Sequence, residues 1–200
     1  MSSVLAKSKA NPVVELPPVP RSRYLVFGAI ALIGCAADLV TKHWVFQWRG
    51  MPRLSNEWWL WEGYVGIQTA LNDGALFGLG SGYGPLFALL SLVAAVGIVV
   101  WLFRYGAAHD WLLTLALAFI MGGIGGNLYD RLGLWENPEL AGEFRSEVRD
   151  WILLRYGDFT WPNFNIADSL LVCGAALLLT HGFLYQEEPT SPPKEPEGER

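Results

Sequence analysis

Four long apolar runs alternate with more polar stretches along the 200-residue chain. A helix needs about 20 mostly apolar residues to cross a bilayer, because its backbone polar groups must be satisfied internally. The pattern therefore predicts four transmembrane helices, from Tyr24 to about Phe46, from Pro85 to Phe103, from Trp111 to Tyr129 and from Asn165 to Leu184.

The composition agrees with a membrane protein. Hydrophobic residues make up 52% of the chain and charged residues only 16%, whereas a soluble domain carries roughly 25% charged residues. The formal net charge is −5, and the sequence contains no cluster of basic residues that could neutralise a phosphate backbone. We therefore exclude an ordinary soluble globule and a nucleic-acid-binding protein.

Neither cysteines nor histidines form a recognisable site. Cys35 and Cys173 both lie inside apolar runs, so no disulfide framework can be inferred. His43, His109 and His181 are far apart without the spacing of metal ligands. We expect no metal ion and no other cofactor.

The connections between the apolar runs are unequal. Runs two and three are joined by a few residues, whereas residues 47–84 and 130–164 form two long segments on the same side of the membrane. Residues 1–23 and 186–200 are rich in proline or glutamate and are expected to be disordered tails around a membrane domain of residues 24–185. The first 23 residues and the short connection carry basic residues that favour cytoplasmic termini, namely Lys7, Lys9, Arg21, Arg23 and Arg104.

Three aspartates lie near the ends of the apolar runs. An ionisable side chain inside a membrane helix costs about 2.5–3.5 kcal/mol at the helix centre, so it indicates function by default. Because successive helices alternate in direction, Asp38, Asp130 and Asp168 are all expected near one membrane face. Asn72, in the first long segment, can reach the same face.

Two of these aspartates share a local pattern with an asparagine three residues earlier. Asn127 precedes Asp130 and Asn165 precedes Asp168, and this spacing places both side chains on one helix face. Two carboxyl groups that share a site keep one proton between them, which is what aspartic proteolysis requires. The pattern indicates an aspartic protease.

Other interpretations remain open. Aspartates near the ends of helices are also typical of helix caps. Lys42 is in a position typical of a side chain that extends to the lipid headgroups, and Arg131 is typical of a residue that contacts a lipid phosphate. Four glycines between Gly122 and Gly126 are typical of close helix packing. A small transporter or proton-relay protein that uses Asp38, Asp130 and Asp168 is the alternative function, followed by a structural scaffold.

Four ordered motifs resemble those of bacterial lipoprotein signal peptidases, the signal peptidase II family of aspartic peptidases. The resemblance spans about residues 24–185. It rests on residues 38–42 (DLVTK), 72–78 (NDGALFG), 122–131 (GGIGGNLYDR) and 164–169 (FNIADS).

The resemblance implies an all-α fold of four transmembrane helices, a small β-structured periplasmic cradle over Asn56–Leu71, and a periplasmic loop or helix over the site. It implies an inner-membrane endopeptidase that cuts prolipoproteins before a diacylglyceryl-modified cysteine, with these substrates and membrane lipids as partners. We expect a monomer. Asp130 and Asp168 match the catalytic pair, and the supporting positions are Asp38, Lys42, Asn72, Gly74, Asn127, Arg131, Asn165 and Ala167.

The sequence departs from the family pattern in three places. Leu76 stands where alanine is common, and Arg149 stands in a usually apolar stretch just before Asp150. Residues 134–146 resemble an insertion in the connection between apolar runs three and four, which is usually short in the family. We expect neither Leu76 nor Arg149 to touch the pair of Asp130 and Asp168.

Overall fold

A computed structural model describes residues 17–53, 57–74, 80, 82–135 and 145–185. Its helices are α1 (Arg21–Arg49), α2 (Gly84–Val99), α3 (Trp111–Arg131) and α4 (Ile166–Leu184), and its strands are β1 (Trp58–Trp61), β2 (Val65–Asn72), β3 (Val148–Tyr156) and β4 (Phe159–Phe164). A π-helical turn, Val100–Arg104, extends α2, and a short 3₁₀ turn, Ala107–His109, precedes α3.

The four predicted transmembrane helices are confirmed. Each of the segments Arg21–Arg49, Gly84–Arg104, Trp111–Arg131 and Ile166–Leu184 is long and apolar enough to cross a membrane. Helix α1 begins before the boundary expected for the N-terminal tail, so residues 21–23 are helical. A contact with a distant part of the chain holds this first turn: Arg23 donates from Nε to the Ala108 carbonyl at 3.0 Å and stacks on Trp111. Residues 1–16 and 186–200 lie outside the described residues.

Helix α3 packs against α1, α2 and α4. Its glycines permit this close packing, as the sequence indicates. A Cβ atom on Gly122 would lie 3.2 Å from the Ala31 carbonyl oxygen, and one on Gly123 would lie 2.5 Å from that of Ala167. A Cβ atom on Gly126 would collide with the Asp38 carboxylate. The absence of side chains here brings α1 and α4 onto the polar end of α3.

The four strands form one antiparallel sheet in the order β1-β2-β3-β4. The β structure expected over Asn56–Leu71 corresponds to β1 and β2, while β3 and β4 come from the second long segment and were not expected. The pairs Val65↔Leu154 and Asn72↔Val148 fix the direction of the central strands. Both hairpin turns therefore lie at one end of the sheet, and Asn72 and Val148 lie at the other.

This second end of the sheet meets the helices. Strand β4 finishes at Phe164 and leads through Asn165 into α4, while β3 contacts both α1 and α3. Most of the expected loop or helix over the site, residues 136–144, lies outside the described residues, as does Leu76. The sheet end and the polar helix ends together enclose the candidate site.

Candidate active site

The structure gathers the predicted polar residues at one place, as the alternation of the helices requires. The C-terminal halves of α1 and α3, the N-terminus of α4, and the ends of β2 and β3 all contribute. The residues brought together are Asp38, Lys42, Asn72, Gly74, Asn127, Asp130, Arg131, Asn165, Ala167 and Asp168, with Arg149 and Asp150 from β3.

Lys42 lies at the centre of a buried ion-pair cluster. Its Nζ atom is 2.7 Å from Oδ2 of Asp38 and 3.2 Å from Oδ2 of Asp130, and all three side chains are fully buried. Nζ also donates to Oδ1 of Asn127 at 2.9 Å. Lys42 therefore does not reach to the headgroups, because its charge is neutralised inside the protein.

Arg149 supplies the second cation of this cluster. Its Nη2 and Nε atoms donate to Oδ1 of Asp130 at 2.7 and 3.1 Å, and its backbone N–H donates to Oδ2 at 3.0 Å. The expectation that Arg149 does not touch Asp130 is therefore wrong. Strand β3 passes directly beside the end of α3, which the sequence did not indicate. Both oxygens of Asp130 are occupied by cationic or backbone donors.

Asp38 connects this cluster to helix α4. Its Oδ1 atom accepts from the backbone N–H of Ala167 at 2.9 Å, while Oδ2 faces Lys42. Ala167 lies in the first turn of α4, where unpaired N–H groups and the helix dipole favour a negative charge. The site role expected for Ala167 therefore involves its backbone, and its side chain is fully buried.

Asp168 belongs to a capping box at the start of α4. Its backbone N–H donates to Oδ1 of Asn165 at 2.9 Å, and its Oδ2 accepts from the Asn165 backbone N–H at 3.1 Å. Its Oδ1 accepts from Nδ2 of Asn127 at 2.9 Å. The helix-cap interpretation thus holds for Asp168, but a cap does not require the additional amide from α3.

Asp150 is a site residue that the sequence reasoning missed. It is 2% exposed, and its contacts are to side-chain amides: Asn165 donates to Oδ1 at 2.6 Å and Asn72 to Oδ2 at 3.2 Å. Burial, followed by the nearby negative charge of Asp168, raises the pKa of Asp150 to about 7. An aspartate within the apolar run of residues 148–154 was the available signal, because such a run is typical of a buried strand.

Arg131 orders the chain after β2. Its Nη2 atom donates to the carbonyl of Gly74 at 2.5 Å, and its guanidinium lies over the ring of Phe87 at 5.0 Å. The N–H of Gly74 in turn donates to Oδ1 of Asn72 at 3.0 Å. Arg131 is 7% exposed, so the expected phosphate contact does not fit. Its Nη1 atom is buried without a hydrogen-bond partner among the described residues.

Four helices able to span a membrane, with carboxyl groups gathered at one polar end, define an integral membrane protein with a buried polar site. The sequence pattern of signal peptidase (SPase) II, peptidase family A8, matches residues 30–184. The chain belongs to this family and is a peptidase. The transporter alternative is therefore set aside.

Similar proteins agree with this assignment. The lipoprotein signal peptidase of Rhodopirellula baltica is 52% identical over 171 residues, which cover 85% of this chain and 77% of the relative. That of Symbiobacterium thermophilum is 30% identical over 81% of this chain and 97% of its own. A solved bacterial membrane enzyme at 2.3 Å resolution has a TM-score of 0.66 and 23% identity, covering 83% of this chain and 94% of its own. The last comparison supports the fold.

Proposed function

We propose that the protein removes signal peptides from prolipoproteins as an aspartic endopeptidase, with Asp150 and Asp168 as its catalytic pair. The observation that carries the pairing is the position of Asn165. Its side-chain amide donates to Asp150 while its backbone N–H donates to Asp168, so one residue holds both carboxyl groups. The names of the relatives support the substrate class.

Asp150 replaces Asp130 in the pair predicted from the sequence. Asp130 is held by Arg149 and Lys42, so both of its oxygens are already engaged in a buried ion-pair cluster. Asp150 is buried among amides and has a pKa of about 7, so it exchanges a proton near neutral pH. That property suits a general acid or base.

The two carboxyl groups differ in a way that suggests their roles. Asp168 receives hydrogen bonds at the N-terminus of α4, where the helix dipole favours a negative charge. We assign Asp168 as the ionised base and Asp150 as the protonated acid. Because the two groups interact, their titration is a property of the pair and not of either residue alone.

The reaction follows from this arrangement. Asp168 removes a proton from a water molecule as the water oxygen attacks the scissile carbonyl carbon. Asp150 donates its proton to the carbonyl oxygen. The tetrahedral intermediate then collapses: the C–N bond breaks, the proton on Asp168 passes to the leaving nitrogen, and a hydroxyl proton returns to Asp150. No net change of protonation results.

Substrate binding uses the neighbouring donors and the membrane. The Nη1 atom of Arg131, which has no hydrogen-bond partner in the part of the chain that the structure describes, is available to a backbone carbonyl of the substrate. The diacylglyceryl chains of the modified cysteine lie laterally among the helices, where each buried CH₂ contributes about 0.8 kcal/mol. Cleavage falls just before that cysteine.

We place the protein in the inner membrane with both termini cytoplasmic and the site near the periplasmic face. Basic residues before α1 and at Arg104 support this orientation. A periplasm-dependent phosphatase fused at Gly142 should be active and one fused at Gly106 inactive. The reverse result would move the site to the cytoplasmic side.

The function is tested by incubating purified protein with diacylated prolipoprotein and identifying the products by mass spectrometry. We expect a free signal peptide and a product that begins with the lipidated cysteine. The same precursor without the diacylglyceryl group should be cleaved poorly. No cleavage of the lipidated precursor would overturn the proposal, and equal rates would overturn only the lipid specificity.

The prediction that no metal ion or other cofactor takes part can be tested in the same assay. In the described ranges, no group of three or more His, Cys, Asp or Glu side chains could hold a metal ion. Cleavage should persist in the presence of a chelator. Activity that is lost with the chelator and restored by added metal would contradict the prediction.

A further inference from the structure

The side chains of two consecutive residues of β3, Arg149 and Asp150, point in opposite directions and contact different partners. The side chain of Arg149 reaches Asp130 on α3, whereas that of Asp150 reaches Asn72 and Asn165. Successive side chains of a strand alternate between the two faces of a sheet. The direction of one side chain therefore fixes the direction of the other.

The Arg149 side chain is held from several sides. Two guanidinium nitrogens and the backbone N–H of Arg149 bond both oxygens of Asp130. The guanidinium also lies 5.0 Å from the ring centre of Trp135 and 6.0 Å from that of Phe46. Arg149 is only 4% exposed. A bidentate guanidinium packed on aromatic rings has one well-defined orientation.

This part of β3 has strand pairing on one side. Strand β2 pairs with it through Leu71↔Arg149 and Ala70↔Asp150, but the register with β4 begins at Ile152↔Phe164. On the side that β4 leaves open, the Arg149 N–H donates to the Asp130 carboxylate. Asp130 thus takes the place of a strand partner at the point where β3 enters the site.

We propose that Arg149 is a positioning residue for the reaction: by clamping Asp130 it fixes the direction in which Asp150 presents its carboxyl group to Asp168. The inference rests on the proposed function, because it takes Asp150 and Asp168 as the reacting pair. Among the described residues, the side chain of Arg149 forms hydrogen bonds with Asp130 and with neither member of the pair. Its role is carried through Asp130 and through the backbone that it shares with Asp150.

Steady-state cleavage kinetics of Arg149→Met and Arg149→Lys test the proposal. A displacement of about 1 Å in a reacting group can lower the rate by about 100-fold, so we expect Arg149→Met to lower kcat by about 10- to 100-fold with KM unchanged. Lysine keeps the charge but loses the bidentate contact, so Arg149→Lys should be intermediate. Arg155→Met is the matched control, because Arg155 lies on the same strand but pairs with Glu57, and its kcat should equal that of the wild type.

The pH profile separates positioning from a general loss of fold. Without Arg149 the charge of Asp130 is only partly balanced, which favours protonation of Asp150. The descending limb of the kcat profile should therefore move to higher pH in Arg149→Met and stay in place in Arg149→Lys. The charged groups around Asp150 are Asp38 and Lys42 on α1, Asp130 and Arg131 on α3, Asp168 on α4, Arg149 on β3 and Asp73 after β2.

A double variant tests whether the effect passes through Asp130. If it does, adding Arg149→Met to Asp130→Asn should cost much less than Arg149→Met costs alone. Equal costs in both backgrounds would overturn the proposal. So would wild-type kcat and an unchanged pH profile in Arg149→Met.

The Arg149→Lys variant decides the matter if Arg149→Met does not fold. A lowered kcat with unchanged KM and an unchanged melting temperature then supports positioning, and wild-type kcat overturns it. Failure of the proposed function is distinguishable, because the wild-type protein itself would then not cleave the lipidated precursor.

Discussion

The side chains on the two faces of β3 contact two clusters of aspartates, which differ in how their charges are balanced. In the ion-pair cluster, the carboxylates of Asp38 and Asp130 meet the cations of Lys42 and Arg149 within 2.7–3.2 Å. In the amide-held pair, Asp150 and Asp168 are contacted by the side chains of three asparagines, Asn72, Asn127 and Asn165. The first cluster has matched charges, and the second has two like groups.

We propose that this difference separates structural from reactive carboxyl groups. A buried carboxylate with matched cations balances their charge, and its removal leaves those cations unpaired. Two carboxyl groups held by neutral amides retain a proton between them and can transfer it. Sequence spacing placed Asp130 and Asp168 in equivalent positions, but the structure gives them different electrostatic surroundings.

The largest effect that tests this comparison is the loss of cleavage when either member of the amide-held pair is replaced. Asp150→Asn and Asp168→Asn should each lower kcat by about 10²- to 10⁴-fold, because an amide cannot carry the shared proton. Combining them should cost little more, since the two act as a unit. Cleavage of the lipidated precursor by equal amounts of folded protein provides the measurement.

Asp158→Asn is the control for these variants, because Asp158 is exposed in the turn between β3 and β4. It should retain wild-type kcat. Substantial turnover by Asp150→Asn would return the catalytic assignment to Asp130, as the sequence predicts.

The next effect concerns stability and the ion-pair cluster. Asp130→Asn leaves Arg149 without its carboxylate and Lys42 with Asp38 alone. Breaking a buried ion pair from one side costs about 3–5 kcal/mol, so the free energy of unfolding in detergent should fall by that order. Asp168→Asn should not produce such a loss. If the Asp130→Asn protein were as stable as the wild type, the ion-pair cluster would not have the structural role assigned to it.

The sequence predicts the helices and their common polar end because both follow from chain order and apolar length. The repeated spacing singles out Asn127, Asn165 and Asp168, which the structure brings into contact. The sheet could be predicted only in part: β3 pairs with β2, which lies more than 70 positions earlier along the chain at Asn72↔Val148, and no local pattern encodes that pairing.

The same limit explains why the contact between Asp130 and Arg149 was not predicted. Asp130 and Asp168 lie in similar motifs, and spacing within a helix does not reveal which charges approach from another element. Arg149 reaches Asp130 only because β3 runs beside the end of α3. The surroundings of Asp150 likewise depend on Asn72 and Asn165, which lie on other elements.

A smaller effect is expected for the stability of Asp150→Asn as a function of pH. The pKa of Asp150 rises from 3.8 to about 7 on folding, so the folded state binds more protons between these values. Its stabilising contribution is complete below about pH 4 and is lost as the pH rises through 7. Asparagine does not ionise, so the variant should gain stability over the wild type above pH 7, by at most about 4 kcal/mol.

Thermal unfolding of both proteins in detergent at pH 4 and pH 8 measures this difference. The two melting temperatures should be close at pH 4, with the variant higher at pH 8. A variant that is less stable than the wild type at pH 8 would contradict the idea that the ionised Asp150 is held at a cost to the fold.

The smallest effect is expected for an ion pair that is exposed to water. Arg155 donates to Glu57 at 2.6 and 3.1 Å, which is as short as the contacts of Arg149, but their side chains are 30% and 28% exposed. Water solvates both charges when the pair is broken, and salt screens their attraction. Glu57→Gln should therefore leave the melting temperature and kcat unchanged within error, at low and at high salt.

A comparison of Glu57→Gln with Asp130→Asn tests whether burial or contact distance determines how much an ion pair contributes to stability in this protein. A loss of stability as large as that of Asp130→Asn would show that distance decides, and would remove the basis on which the two aspartate clusters are distinguished.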